Sequence, residues 1–260
     1  MIKFQPLLSS SSGNATYLTD DNTHILIDCG ASIRYIEKCL LRLGVTPDML
    51  TGVFITHAHT DHVAAAGMLS KKYNLPVFAT EETFSVAEKH MANINRKCAR
   101  IISPGDDIII GDMVVHAFSI PHDAPGAVSY TVCDKESKFG IATDSGHISD
   151  DIIANLSDCQ SVIVEANHDI DMLMHGPYPY PLKRRILSDV GHLSNVLCGE
   201  LCVRLAQSGT KSFWLGHLSE KNNLPKKAYE EVHKILTENG YSVGADVSLN
   251  VIPKLWIEEK

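Results

Sequence analysis

No apolar run in the 260-residue sequence approaches the roughly 20 residues that a membrane-spanning helix needs. A secretion signal is not expected either, because the opening stretch MIKFQPLLSSSSGN has one lysine and a very short apolar segment. There is no CxxC pair, and seven cysteines is an odd number. Cys198 and Cys202, four apart on an expected helix, suit ordinary packing, so the expectation is a reduced, cytoplasmic chain without disulfides. Positive charge is also in short supply: 23 Lys and Arg stand against 31 Asp and Glu, a net charge of −8. That deficit counts against coating nucleic acid by bulk electrostatics. It leaves room for a nuclease, since bound divalent cations and a small basic patch can supply a local field. Repeats, linkers and low-complexity tracts are missing beyond Ser9–Ser12, and the length suits one buried core, so a single domain over residues 1–260 is expected.

Histidine, by contrast, is plentiful, with 13 copies. Short β-branched runs at residues 23–27, 52–56, 107–110, 113–120, 127–133, 138–142, 161–165 and 211–215 are bounded by Gly, Pro, Asp or Asn and read as strands. Helical patterns cover 33–43, 63–73, 80–94, 194–207 and 226–239, with Thr80 and Ser194 as N-caps. Hairpins early in the chain and strand–helix alternation later do not fit a simple doubly wound sheet. An α/β (α+β) arrangement of sheets packed face to face, with helices outside, fits better. Five strands then run into loops carrying His or Asp: His57 to His62, His122-Asp123, Asp144 with His147, His168-Asp169, and His217.

The sharpest signal is His57-Ala58-His59-Thr60-Asp61-His62. Alternate side chains of an extended loop share a face, so His57, His59 and Asp61 can point together, while His62 opens a helix toward a neighbouring position. Imidazole suits Zn and Fe, and carboxylate widens the choice to Mn. Six residues thus supply two ligand sets, with His122, Asp144 and His217 as natural supplements and Asp144 able to bridge two ions. A lone histidine after a strand is usually a capping or solvated residue; four ligand types in six positions are not. Two roles are open to Asp28: orienting a ligand histidine from behind, or capping a turn.

At these positions the sequence resembles the metallo-β-lactamase superfamily, through Asp28, THAHTDH at 56–62, His122, Asp144 and His217 in that order. The resemblance implies a four-layer αβ/βα sandwich, two mixed sheets flanked by helices, holding two divalent ions of uncertain identity (Zn, Mn or Fe). It implies one ion on His57, His59 and His122, another on Asp61, His62 and His217, and Asp144 between them, Asp61 counting also among the catalytic groups. The stretches SSSSGNATYL (9–18), EANHDIDML (165–173), GPYPYPLKRRILSDVGHLSN (176–195) and LGHLSEKNN (215–223) look like the YycJ/WalJ group. That resemblance implies a 5′-to-3′ exonuclease acting on double-stranded DNA. Gly191-His192-Leu193-Ser194 is similar to the Gly-His-Ser-Thr segment of tRNA 3′-processing relatives, where the histidine assists phosphodiester cleavage.

Substrate identity must come from outside the metal motif. Lys183, Arg184 and Arg185, beside Tyr178 and Tyr180, read either as a phosphate-binding segment or as the solvated face of a proline-stiffened turn. The Ser9–Asn14 loop reads as a phosphate cradle or as a plain polar turn. His192, at a helix start, reads as a general acid or as a packing residue. A small-molecule ester, thioester or lactone hydrolase would share every metal ligand. A regulatory module with a dead site is disfavoured by the complete ligand set.

Overall fold

The computed structural model describes residues 1–87, 91, 94, 95 and 97–257. The first half of the chain runs β1 (Lys3–Ser10), β2 (Gly13–Thr19), β3 (His24–Ile27), α1 (Ile33–Arg42), β4 (Gly52–Phe54), α2 (Thr60–Val63), α3 (Ala66–Tyr73), β5 (Val77–Ala79), α4 (Glu81–Val86) and β6 (Ala99–Ile101). The second half runs β7 (Asp107–Ile110), β8 (Met113–Ser119), β9 (Val128–Cys133), β10 (Lys138–Ala142), α5 (Asp150–Leu156), β11 (Ser161–Glu165), α6 (Ile170–His175), α7 (Tyr180–Ile186), α8 (Asn195–Gln207), β12 (Ser212–Gly216), α9 (Pro225–Glu238) and β13 (Ser248–Val251).

β1 to β6 form one sheet in sequential order, and β7 to β13 form the other. Each begins as an antiparallel meander and ends in parallel strands: β3 to β6 in the first, β10 to β13 in the second. Both are therefore mixed sheets. Strand alternation sorts the core into three apolar layers. Ile25, Ile27 and Phe54 face across to Val115, Tyr130 and Ile163 between the sheets. Leu26, Val53 and Ile55 face the other way, onto Ile36, Leu40 and Leu69 of α1 and α3. Val162 and Val164 pack against Ile152, Cys198, Leu201 and Cys202 of α5 and α8, with Val232 and Leu236 of α9 behind. The result is the expected four-layer αβ/βα sandwich. Among the described residues the cysteines form no disulfide, and no helix is long and apolar enough to cross a membrane.

Two expected elements differ. The 63–73 helix is split after Ala64, because the Cys29–Gly30 loop inserts against it: Cys29 N–H donates to His62 O (2.8 Å), and Ala65 N–H donates to Cys29 O (3.0 Å). A Cβ on Gly30 would stand 1.6 Å from Asp61 O, so only glycine permits this approach. The 80–94 helix is observed over α4, with Thr80 capping Thr83 N–H, while residues 88–90, 92 and 93 of that expectation lie outside the described residues. The β1–β2 hairpin was not expected. Pro6 sits beside a register shift on the edge strand, where a missing N–H and a bulge are tolerated.

Candidate metal centre

The parallel strands bring the chemistry to one edge. β3 and β4 of the first sheet, and β8, β10, β11 and β12 of the second, all finish there, delivering Asp28, His57, His122, Asp144, Glu165 and His217 respectively. Asp28, Asp144 and His217 have left-handed backbone, with φ of 58°, 61° and 55°. Asp and His tolerate this region better than bulkier residues do, and strain of this kind gathers where a site demands it.

Three imidazoles form one cluster. His59 Nδ1 lies 3.0 Å from His57 Nε2 and 3.3 Å from His122 Nε2. Burial, with neighbouring histidines adding, holds His57 well below the usual histidine range, and burial lowers His59 and His122 as well. Neutral imidazoles with converging nitrogens present lone pairs to a common point. The second cluster is acidic as well as basic. Asp61 Oδ2 lies 3.4 Å from His62 Nε2 and 3.7 Å from His217 Nε2. Asp144 sits between the clusters, Oδ2 3.3 Å from His62 Nε2 and Oδ1 3.5 Å from His217 Nε2 and 3.9 Å from His122 Nε2.

Burial opposes charge on His62 and His217. Asp28, Asp144 and Asp61 outweigh it at His62, raising it well above its ordinary range, and Asp144, Asp61 and Glu165 raise His217 to about 10. Asp61 and Asp144 are pressed below the usual carboxylate range, against burial, by these same histidines. The second cluster is thus built for concentrated positive charge. Asp144 Oδ2 and His217 Nε2 are buried without a hydrogen-bond partner. This donor set, split into two triads around one central carboxylate, fits a pair of divalent cations.

The groups behind the donors settle their orientation. Asp28 Oδ2 accepts from His62 Nδ1 at 2.7 Å, and Oδ1 accepts from Thr56 N–H at 2.9 Å. Of the two roles open to Asp28, the orienting one is therefore occupied, and it directs His62 Nε2 at the cluster. Glu165, which sequence reasoning passed over, does the same for His217. Its Oε1 accepts from His217 Nδ1 (2.7 Å) and His192 Nδ1 (2.8 Å), and its Oε2 from the N–H groups of Ser145 (3.0 Å) and Leu193 (3.1 Å). A charged residue closing the otherwise uncharged run SVIVE was the signal. Burial works against its charge, yet the two histidines hold its carboxyl down at about 2.

His192 belongs to the site, with its ring centroid 5.5 Å from that of His122 and 5.4 Å from that of His217. Burial pushes it down, but Glu165 and Asp144 leave it above the ordinary histidine range. His147 is exposed and bonded to Asp189 O (2.8 Å), outside the cluster. His168 is buried with neither ring nitrogen partnered, and burial lowers it to about 4; it joins none of the donor groups.

A cleft of about 380 Å³ opens onto these residues, lined by Ser11, His59, Thr60, Asp61, Asp144, Arg185, His192 and His217. The basic segment is divided by its helix. Arg185 lines the cleft and pairs with Asp123 through Nε and through Nη2 (3.0 Å). Lys183 turns away to Met174 O (2.8 Å), and Arg184 is exposed outside the lining.

Comparison with known proteins agrees with this geometry. The model of the metallo-beta-lactamase superfamily matches residues 10–189. The chain is 35% identical over 243 residues to "Exodeoxyribonuclease YycJ" of Bacillus anthracis, covering 94% of this chain and 92% of that protein. It is 34% identical over 246 residues to "Exodeoxyribonuclease WalJ" of Streptococcus pneumoniae, covering 94% and 91%. Among solved structures, the metallo-beta-lactamase fold protein YhfI from Bacillus subtilis superposes with a TM-score of 0.73 at 15% identity, over 98% of both chains, which speaks for the fold. The chain belongs to the metallo-β-lactamase superfamily, in the group that holds the YycJ and WalJ proteins.

Proposed function

We propose that the chain is a metal-dependent phosphodiesterase that digests double-stranded DNA as a 5′-to-3′ exonuclease. The observation that carries this reading is the 35% identity, over nearly the whole of both chains, with a protein named an exodeoxyribonuclease. The cleft supports it, because every residue lining it is polar or charged, which suits a phosphate better than an acyl chain.

In this reading His57, His59 and His122 would hold one ion and Asp61, His62 and His217 the other, with Asp144 available to both; Zn, Mn and Fe are all compatible with such donors. Two bound ions would lower the pKa of a water and stabilise charge on the attacking and leaving oxygens. The chain's own residues do the rest. Asp28 and Glu165 fix the faces of His62 and His217. Arg185 offers its guanidinium to a phosphate at the rim of the cleft. With Nδ1 bonded to Glu165, His192 has Nε2 left to carry a proton, which it hands to the departing 3′-oxygen.

The test offers metal-loaded protein a duplex labelled at either end, alongside single-stranded DNA, RNA, a lactone and a thioester. Progressive release of nucleotides from the 5′ end of the duplex is expected. Turnover of the lactone or thioester with intact DNA would replace this reading with a small-molecule hydrolase.

A further inference from the structure

The mechanism above makes no use of the turn between β1 and β2, yet that turn is tied to both histidines of the Asp61–His62–His217 group. Ser9 Oγ accepts from His217 N–H at 2.9 Å, and Ser11 N–H donates to Leu218 O at 3.3 Å. Asn14 O accepts from Gly30 N–H at 2.7 Å, in the loop that follows Asp28. Ser12 Oγ donates to Glu220 Oε1 at 2.6 Å, which closes the far side of the turn.

Asn14 is the residue this arrangement aims. Its side chain is 7% exposed. Nδ2 lies 3.0 Å from Ser10 O and 3.1 Å from His62 Nε2. A carbonyl oxygen only accepts, so the group facing Ser10 must be the NH₂, which fixes the amide's orientation. One N–H is satisfied by Ser10, and the other points at His62 Nε2. That nitrogen also faces Asp61 and Asp144, at 3.4 and 3.3 Å. His62 Nε2 accepts this second N–H as long as its lone pair is free, but as a ligand in the proposed metal centre it would have no lone pair left for Asn14. With His62 holding an ion, the second N–H, buried beside that ring, would need another acceptor.

We propose that Asn14 is a substrate-binding residue that donates this N–H to a non-bridging oxygen of the phosphate held beside His62 and His217. An oxyanion there would accept a bond that the two imidazoles, once they are ligands, could not, and Ser11, in the lining of the same cleft, sets the turn against it. This assignment rests on the phosphodiesterase reading for its substrate class. It gives the polar turn a role in positioning the phosphate, where Arg185 supplies charge.

The experiment measures binding of inorganic phosphate to metal-loaded wild type, Asn14→Ala and Asn14→Asp by calorimetry. Metal content and thermal melting are read on the same samples. Expected is full metal content with phosphate bound roughly tenfold more weakly in Asn14→Ala. Asn14→Asp, which keeps the volume but sets an anion against an anion, should lose at least as much. Phosphate affinity within about twofold of wild type in both folded, fully loaded variants overturns the proposal. So does loss of metal in both, which makes Asn14 a support for His62. Should Asn14→Ala fail to fold, Asn14→Asp alone decides. Duplex digestion by the wild type is followed in parallel. Digestion with unchanged phosphate affinity in the variants sinks only this inference, and weakened phosphate binding without digestion sinks only the exonuclease reading.

Discussion

Both oxygens of Glu165 are engaged, Oε1 by two imidazoles and Oε2 by two backbone N–H groups, so its charge cannot swing away from His192. A buried charge held this way raises the proton affinity of its neighbour. His192→Ala should keep both metals and lose about 10²- to 10⁴-fold in turnover on DNA. The loss should shrink on bis-p-nitrophenyl phosphate, whose leaving group needs little protonation. If protonated His192 is the acid, kcat falls as pH rises through its folded-state pKa, which lies above the ordinary histidine value. Glu165→Gln removes the carboxylate responsible, so the alkaline limb of the kcat profile should move to lower pH. A limb that stays put in this variant belongs to another group. At this scale the sequence was partly legible. His192 stood out by its motif, whereas Glu165 looked like the end of a strand, because nothing local says which way a terminal side chain turns.

On a helix successive residues project about 100° apart, so three consecutive cations cannot face one cleft. α7 obeys this: Arg185 reaches the cleft and Asp123, and Lys183 reaches back to Met174 O. Arg185→Glu should weaken duplex binding about tenfold or more, while Lys183→Glu should change it less than about threefold, both by fluorescence anisotropy at one fixed salt concentration. Equal losses would reduce the segment to bulk charge. Elements with a bounded apolar run or a cap were readable: β10, β11 and α8 lie where those runs and the Ser194 cap placed them. β5 and β6, three residues each, are too short to show a period. β2 is buried along its whole length although Asn14, Thr16 and Thr19 are polar, so its sequence does not announce that burial. The split between α2 and α3 came from Cys29 and Gly30, some thirty residues upstream, which take over the backbone groups a continuous helix would use.

Across the whole molecule, two sheets converge buried carboxylates and imidazoles on one edge, and ligands that bind only the folded state stabilise it. Metal removal by chelation should lower the Tm by about 5–10 °C, the shift expected for a few kcal/mol in a chain of this size. Adding back Mn²⁺ or Zn²⁺ should restore it, and scanning calorimetry reads both. A Tm indifferent to chelator and metal would deny the clusters their cations.

The sequence by itself determined the class of fold and pointed to most of the candidate donor residues. The His57–His62 motif, and single His or Asp residues just past strand ends, are local patterns, and side-chain alternation is local too. Only the tertiary structure decided which donors share a cluster, that Glu165 serves His192 and His217 together, that Arg185 alone of its segment faces the cleft, and that Asn14 lies against His62. The reason is physical. Asn14 and His62 are 48 positions apart, and His217 and Ser9 are 208 apart. Contacts over such distances are set by the order and twist of the strands, for which no neighbouring residue carries the pattern.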